Sequence, residues 1–312
     1  MKCRGRYHCT TNSSVKSTYD NAHNLAAEKL LKPTDIDKRL FLPALFDIPK
    51  SIDRRYLASL NNLPERTIRS ISVMEKAINN NTVIDTSGIT LNTVDEMAFQ
   101  HILVRMYLNH SKPFKRRSSE IDFIVKSVSG LFCSLWSPHD EITVSWDFTT
   151  WANKQNMPDS VSTRPDLVFH TEFNEIGNGE IKPAGTPKPC VDLARARVLE
   201  TCKRQLYVRL KTAVLLGEAV TFGVLVYGVC YEIFIVSFSD GYYPYERVSV
   251  GLLPTSHNTY SCAEKALKDL VRLKESMKMS LTTESTTDEF TLVDENNLLP
   301  IVSYSSIVKY NK

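Results

Sequence analysis

Two short apolar segments with charged ends place the tightest limits on how this chain folds. One is residues 164–169, Arg-Pro-Asp-Leu-Val-Phe, and the other is residues 179–183, Gly-Glu-Ile-Lys-Pro. Both have the length and composition of β-strands. Because side chains two apart on a strand point to the same face, Glu180 and Lys182 are expected to emerge together.

The segment between these strands contains residues that suit a turn. Asn174, Gly177 and Asn178 predict a loop over residues 173–178, which joins the two strands into a hairpin. Such a hairpin would bring Asp166 beside Glu180. Two carboxylates and an ammonium at one point favour a site for a hard divalent cation and an activated water.

The elements around the hairpin predict an α/β domain with a mixed central sheet. Residues 118–134 have the pattern of a helix, and residues 141–148 that of a strand. The two hairpin strands follow, then a long helix over residues 191–216 and a strand over residues 220–227. Further along, the pattern predicts strands at 229–238 and 247–253, and a last helix at 259–277.

The 312-residue chain divides into four predicted parts. Residues 1–37 are polar and lack periodicity, so they are expected to be flexible. A helical N-terminal region over residues 38–117 precedes the main domain at residues 118–280. The rest, residues 281–312, is predicted to be a partly flexible tail.

The chain resembles the PD-(D/E)xK nuclease superfamily at two motifs. Pro165 and Asp166 form the first, and Glu180, Ile181 and Lys182 form the second. The element order above also agrees with the superfamily order of helix, three strands, helix and strand. The chain is similar, too, to a group of uncharacterised fungal proteins with this motif, over roughly residues 115–280. This resemblance implies a restriction-endonuclease-like core, a mixed central sheet flanked by helices.

The resemblance further implies divalent-metal-dependent hydrolysis of phosphodiester bonds. In that case Asp166 and Glu180 bind Mg²⁺ or Mn²⁺, and the Ile181 carbonyl adds a third protein ligand. Lys182 would orient the attacking water and offset charge on the phosphate. A role as base requires its pKa to fall, which nearby carboxylates oppose, so the orienting role is favoured.

Two further residues each have a functional and a structural interpretation. Glu120 begins the first helix, where related nucleases often place an additional acid that faces the metal. An acid is also favourable at any helix N-terminus. Gln205 on the long helix is a candidate to contact the scissile phosphate or order the water, because some members of the superfamily use a Gln there. It would otherwise hydrogen-bond the sheet.

A basic row on the long helix is a candidate for nucleic-acid contact. Arg197, Arg204 and Lys211 are seven residues apart, so they line up opposite the apolar stripe that would cover the sheet. Such a row could follow a phosphate backbone. Such a row is more often a solvated helix face.

Composition limits the class of protein but does not choose the substrate. The formal charge of +3 is too small to indicate a nucleic-acid binder by itself. No apolar run reaches membrane-spanning length, and the seven scattered cysteines suit a reducing compartment. These features, with a basic run at residues 112–117, predict a nuclear or cytoplasmic protein. The expected partner is nucleic acid, DNA more than RNA, and the oligomeric state stays open.

Two alternatives to an active nuclease follow from the same residues. A nuclease-derived module could bind nucleic acid or protein without cutting, since an intact motif does not ensure an open groove. An interaction partner in a larger assembly could dock through the apolar segment at residues 40–48 or through the tail. Salt-sensitive binding without metal-dependent products would distinguish the first alternative from a nuclease.

Overall fold

The computed structural model describes residues 54–82, 94–110, 119–152, 164–212, 216–238, 243–254 and 257–282. These residues form an α/β fold with a six-stranded mixed sheet flanked by helices. The predicted tail at residues 1–37, the segment at 40–48 and the basic run at 112–117 lie outside the described residues. So does nearly all of the predicted C-terminal tail.

The helices begin and end close to the predicted positions. They are α1 Glu65–Asn80, α2 Val94–His110, α3 Glu120–Phe123, α4 Ser129–Leu135, α5 Lys188–Thr212 and α6 Ala263–Thr282. A π-helical turn, Ile124–Val128, joins α3 to α4. Short 3₁₀ helices are Arg54–Tyr56, Leu216–Glu218 and His257–Cys262. Among the described helices, none combines the length and apolar character that crossing a membrane requires.

The sheet is built from β1 Thr143–Trp146, β2 Leu167–His170, β3 Glu175–Lys182, β4 Val220–Tyr227, β5 Cys230–Ser237 and β6 Tyr245–Leu252. The strands lie in sequence order across it. Every neighbouring pair is antiparallel except β3 and β4, which are parallel. A parallel pair needs a long crossover, and α5 supplies it.

The predicted loop at residues 173–178 is wrong in its position. The observed turn is at residues 171–174, where the Thr171 amide donates to the Asn174 carbonyl over 2.8 Å. Gly177 lies inside β3, where the close approach of β4 requires a glycine. A Cβ atom at this position would stand 2.4 Å from the Phe222 carbonyl oxygen of β4. Asn178 also lies inside β3, and its side chain donates to the Val198 carbonyl of α5.

One face of the sheet carries the main hydrophobic core. Leu167, Phe169, Ile181 and Phe222 point to this face and are fully buried. Side chains from α1, α2, α4 and α6 pack in the same cluster, among them Met74 of α1. The helices of the N-terminal region therefore share one core with the sheet, and burial of this apolar surface is the main force that holds them there.

Helix α5 covers the opposite face. Its apolar residues Leu199, Cys202, Leu206 and Leu210 are buried, as the stripe predicted. Close packing requires Gly223 of β4, since a Cβ atom there would lie 2.5 Å from a Val198 methyl carbon. The main contacts of α5 are with β3, β4 and β5, so the sheet extends past the helix through β2 and β1.

The π-helical turn has an identifiable cause in side-chain packing. The Arg105 guanidinium of α2 donates to the Val125 carbonyl over 2.8 Å, and the Ser129 hydroxyl donates to the same oxygen over 3.0 Å. Gly130 leaves room for Arg105, because a Cβ atom there would lie 2.6 Å from the Arg105 side chain. Wide turns of this kind often occur beside functional sites, and this one follows directly after α3, the short helix that begins at Glu120.

Candidate active site

Four charged side chains from three elements meet on the α5 face of the sheet. Leu167 pairs with Gly179 in the antiparallel register, so Asp166, one residue before β2, lies beside Glu180 of β3. Glu180 and Lys182 share a face, as the strand period requires. Glu120 reaches the same point from the first residue of α3.

The ammonium of Lys182 lies at the centre of this group. Its Nζ atom is 2.7 Å from Glu120 Oε1, 3.3 Å from Glu180 Oε2 and 3.5 Å from Asp166 Oδ2. Asp166 Oδ2 also accepts a hydrogen bond of 2.5 Å from the Ile181 amide. The hairpin backbone thus fixes the Asp166 carboxylate, and Lys182 links the two carboxylates of the hairpin to Glu120 of α3.

The charged cluster is largely buried at Glu180 and Lys182 of β3 and accessible at Glu120 of α3. The Glu180 and Lys182 side chains are 8% and 15% exposed, whereas that of Glu120 is 42% exposed. With every group ionised, three negative charges face one positive charge. This excess of negative charge in a poorly solvated place is costly unless protons or cations offset it.

Glu180 shows that cost most strongly. Burial and the neighbouring Asp166 carboxylate raise the pKa of Glu180 to about 7, against the opposing effects of Lys182 and Arg197. Burial likewise raises the pKa of Asp166, although Lys182 and the Ile181 amide partly offset this effect. Glu180 therefore holds a proton more readily near neutral pH than an ordinary carboxyl group does.

Lys182 is held in its charged form. Burial lowers its pKa, but Glu180, Asp166 and Glu120 together outweigh burial and raise the pKa above its ordinary value. A charged ammonium cannot accept a proton. The surroundings of Lys182 in this structure therefore favour an orienting and electrostatic role over that of a general base.

Glu120 extends from the helix start into the cluster. The N-terminus of α3 is capped by Ser119, whose hydroxyl accepts a hydrogen bond from the Asp122 amide over 3.1 Å. The Glu120 carboxylate bonds to Lys182 instead. Of the two interpretations of Glu120, the contact with Lys182 agrees with the one that places an acid at the site.

The carboxylates offer hard oxygen ligands, but not a preformed cage. Among the described residues, no group of three or more His, Cys, Asp or Glu side chains is arranged to hold a metal ion. Mg²⁺ commonly binds through one or two carboxylates together with water and substrate phosphate. Asp166 and Glu180 fit that mode, because they are neighbours on adjacent strands, and burial, the main cause of their raised pKa values, leaves both carboxylates poorly solvated.

Arg197 is the member of the predicted basic row that reaches the site. Its positive charge acts on Glu180, where it lowers the pKa. The Nε atom of Arg197 is buried and has no hydrogen-bond partner in the described part of the chain. A guanidinium whose charge acts on Glu180, with a donor left over, suits a phosphate oxygen.

The predicted row of three exposed cations is wrong at Arg204. This side chain is buried, and its guanidinium forms an ion pair of 2.5 Å with Glu200, one turn earlier on α5. Its neighbour Lys203 is also buried, with Nζ 4.6 Å from the centre of the Tyr243 ring. Lys211 is exposed, and its Nζ lies 4.7 Å from the centre of the Tyr207 ring.

Gln205 does not join the charged cluster. Its side chain is buried over the beginning of β3, where Nε2 donates to the Gly177 carbonyl over 3.2 Å. Its Oε1 atom accepts a hydrogen bond of 3.1 Å from the side-chain amide of Asn178. Glu180 is three residues further along the strand from Gly177, about 10 Å away. Of the two interpretations of Gln205, the hydrogen bond to the sheet is the one observed, and the contact with a scissile phosphate stays a prediction.

The predicted site residues omit His170, which lies on the same face of β2 as Asp166. The period of two along this strand is the signal that identifies it, because residues 166, 168 and 170 alternate with buried Leu167 and Phe169. His170 packs against Phe148 and Trp151.

Function is inferred here from the geometry of the charged cluster and from its motifs. Comparison with known proteins adds no further support for a function. No family model matches the chain, and no curated protein or solved structure matches it at a significant level.

Proposed function

We propose that this protein is a divalent-metal-dependent nuclease with a PD-(D/E)xK core, acting on DNA or RNA. The observation that carries the proposal is the convergence of Lys182 with Glu120, Asp166 and Glu180 within 3.5 Å. A weak surface ion pair would need only one acid, and it would lie in solvent. Three acids from three elements around one half-buried ammonium are typical of a functional site.

The order of the elements supports the same proposal. Helices α3 and α4 precede the antiparallel strands β1, β2 and β3, and α5 then leads to β4 beside β3. This is the order of helix, three strands, helix and strand that the resemblance implies. The charged residues stand at the hairpin and helix positions that the superfamily motif would assign to its site.

Asp166 and Glu180 are the residues that would hold Mg²⁺ or Mn²⁺. When bound, such an ion would polarise the phosphate and lower the pKa of a water ligand. The protein side chains favour a cation at this point, since burial raises the pKa of both carboxyl groups, and a neighbouring carboxylate adds to the rise in each case, Glu120 for Asp166 and Asp166 for Glu180. Glu120, at the exposed rim, holds the Lys182 ammonium and faces solvent.

Lys182 and Arg197 would act on the phosphate itself. The Lys182 ammonium is desolvated and has three donors, so it can orient a water molecule and offset charge on a phosphoryl oxygen. Arg197 offers the buried Nε–H described above. A preorganised pair of cations in a partly dry cleft stabilises developing negative charge more strongly than the same pair in water.

Cleavage by purified protein tests this proposal. Labelled single- and double-stranded DNA and RNA are incubated with wild-type protein in Mg²⁺, Mn²⁺ or EDTA, and with Lys182→Ala. Lys126→Ala is the matched control, because Lys126 lies one turn beyond Asp122 on the adjoining helical segment and is 70% exposed. We expect products that require metal, disappear in Lys182→Ala and persist in Lys126→Ala.

Absence of products from folded wild-type protein would overturn the proposal. Salt-sensitive binding under the same conditions would then identify a nuclease-derived binding module. Products that persist in EDTA, or in folded Lys182→Ala at the wild-type rate, would contradict the assigned chemistry.

A further inference from the structure

An exposed ion pair adjoins the charged site on its β1 side. Asp147 directly follows β1, and its amide donates to the Asp166 carbonyl over 3.0 Å. Arg164 stands two residues before Asp166, and its Nη1 atom is 3.5 Å from Asp147 Oδ2. The Arg164 and Asp147 side chains are 55% and 78% exposed. A guanidinium therefore lies at the accessible border of the site, beside the segment that carries Asp166.

The local sequence directs Arg164 to the same side of the chain as Asp166. Pro165 restricts the residue before it to an extended conformation. Side chains two apart on an extended chain share a side, and the two α-carbons are then about 7 Å apart. Burial follows this alternation, because Pro165 and Leu167 are buried, whereas Arg164 is exposed and Asp166 is half-buried. The antiparallel register of β2 with β3, continued to Arg164, reaches the level of Lys182.

Asp147 is held in an uncommon backbone conformation. Its φ of 48° lies in the left-handed region that residues other than glycine seldom adopt. Among the described residues Asn81 is the other such case, and it has an ordinary role as the C-cap of α1. Glycine would suit the backbone of residue 147 better. The aspartate there instead supplies a carboxylate, and the contact of that carboxylate is with Arg164.

Arg164 has hydrogen-bond donors to spare, whereas Lys182 has few. The Lys182 ammonium is shared among three carboxylates, and its side chain is only 15% exposed. The Arg164 guanidinium has five N–H groups in a planar fork, and its ion pair with Asp147 uses the Nη1 atom. Within the described residues, the edge formed by Nε and Nη2 has no partner. Such an edge matches two oxygens of one phosphate.

Cations flank the carboxylates of the site on two sides. Arg197 acts on Glu180 from α5, a helix that packs over β3, β4 and β5. Arg164 is on the other side, next to the end of β1. A nucleic acid that crosses the site meets carboxylates at the centre, which repel phosphate, so its affinity depends on cations at the border.

We propose that Arg164 binds the phosphate next to the scissile one, and that Asp147 is a positioning residue that holds the Arg164 guanidinium in place. This inference rests on the proposed nuclease function for the identity of the ligand, a phosphodiester backbone. The phosphate takes the Nε–Nη2 edge of Arg164 while Asp147 keeps Nη1. A phosphate contact carries no information about the bases, so Arg164 contributes affinity and register, and not sequence preference.

Binding measured at several salt concentrations tests the phosphate contact. Fluorescent single-stranded and duplex DNA and RNA are titrated with wild type, Arg164→Gln and Arg164→Lys, in EDTA and in Ca²⁺. Arg54→Gln is the matched control. Arg54 is 65% exposed and pairs with Glu246 over 3.3 Å at β6, the opposite edge of the sheet. Thermal melts establish that each variant is folded.

We expect Arg164→Gln to lose about 10-fold in affinity at low salt, and to reduce the slope of log affinity against log salt by about 1. Arg164→Lys should keep the wild-type slope, because its charge remains, but regain only part of the affinity, because an ammonium cannot make the two-pronged contact. Arg54→Gln should keep both affinity and slope. Wild-type affinity and slope in folded Arg164→Gln would overturn the proposal.

Asp147→Asn tests the positioning role. Asparagine also tolerates the left-handed conformation, so the backbone is kept. Loss of a negative charge beside a polyanion should by itself tighten binding. We expect weaker binding instead, by about 3-fold, and no such weakening when Arg164→Gln is already present, since the two residues act together. Tighter binding in folded Asp147→Asn would overturn the role of Asp147.

Failure of the phosphate contact and failure of the nuclease give different results. Metal-dependent cleavage by wild type, with binding that is indifferent to Arg164→Gln, would leave the nuclease intact and remove the contact. A salt slope that depends on Arg164, without any cleavage by wild type, would retain the contact and remove the nuclease. Folded wild-type protein that binds no oligonucleotide in either buffer would overturn the contact as well.

Discussion

The Nζ atom of Lys182 lies 2.7 Å from Oε1 of Glu120, although 62 residues separate the two in sequence. This contact joins the central strand β3 to the start of helix α3. The same ammonium also contacts Asp166 and Glu180. One positive charge therefore holds together a hairpin and a helix. Both the local fold and any chemistry at the site depend on this charge.

Removal of Lys182 is expected to destabilise the protein in a pH-dependent way. Lys182→Ala leaves three carboxylates without their ammonium, and we expect a loss of about 3 kcal/mol in the free energy of unfolding at pH 8. At pH 5 the loss is smaller, because Glu180 is then protonated and fewer charges repel. Denaturant unfolding at both pH values measures the difference, with Lys126→Ala as control. An equal loss at pH 5 and pH 8 would contradict this account.

Glu180→Gln is expected to stabilise the fold while it abolishes cleavage. The folded pKa of Glu180 is about 7 and its ordinary value is 4.5, so ionisation is harder in the folded protein. Its stabilising effect is complete below about pH 4.5 and is lost as the pH rises through 7. The rise in the pKa of Glu180 corresponds to about 3 kcal/mol of stability lost when the group ionises in the folded protein. The Glu180→Gln variant stays neutral and avoids this loss. At pH 8, folded Glu180→Gln should melt at a higher temperature than wild type. A lower melting temperature would refute the assigned burial cost.

Divalent cations are expected to raise the melting temperature of the wild-type protein. Binding at 100 times the dissociation constant adds about 2.7 kcal/mol to the free energy of unfolding. The increase should shrink as the pH falls below 7, because protons compete for Glu180 and Asp166. Asp166→Asn and Glu180→Gln should lose it, and Glu264→Gln, on the distant helix α6, should keep it. The measurement is a thermal melt in Mg²⁺, Mn²⁺ or EDTA.

Two arginines of α5 are expected to respond differently to substitution. Arg197→Ala should retain the fold, weaken nucleic-acid binding and reduce the slope of log affinity against log salt by about 1. Arg204→Ala should instead destabilise the fold by about 3 kcal/mol, because Glu200 stays buried without its ion pair. Titrations at several salt concentrations and unfolding curves separate the two effects. An unchanged salt slope in Arg197→Ala would show that Arg197 does not contact the nucleic acid.

Local pattern was sufficient to predict the elements that carry the site. The β4 strand was predicted at residues 220–227 and is observed as Val220–Tyr227, because a continuous apolar run is typical of a buried strand. The period of two correctly places Glu180 and Lys182 together, and the hairpin places Asp166 beside them.

Contacts between distant parts of the chain explain what local pattern missed. Gly177 and Asn178 have the composition of a turn, yet they serve the close approach of β4 and a hydrogen bond to α5. Arg204 has the spacing of an exposed row, but Glu200 pairs with it and the helix side next to it is covered, as the burial of Lys203 under Tyr243 shows. A window of local sequence shows neither the partner strand β4 nor the segment with Tyr243 that covers Lys203.

The position of Lys182 among its carboxylates has a consequence for the order of binding. The ammonium competes with any incoming cation for Asp166 and Glu180. A phosphate that attracts Lys182 away from them would strengthen their hold on the cation, and by reciprocity the cation would strengthen the hold on phosphate by the same factor. Cation and nucleic acid are thus expected to bind cooperatively, so that each binds more tightly when the other is already bound.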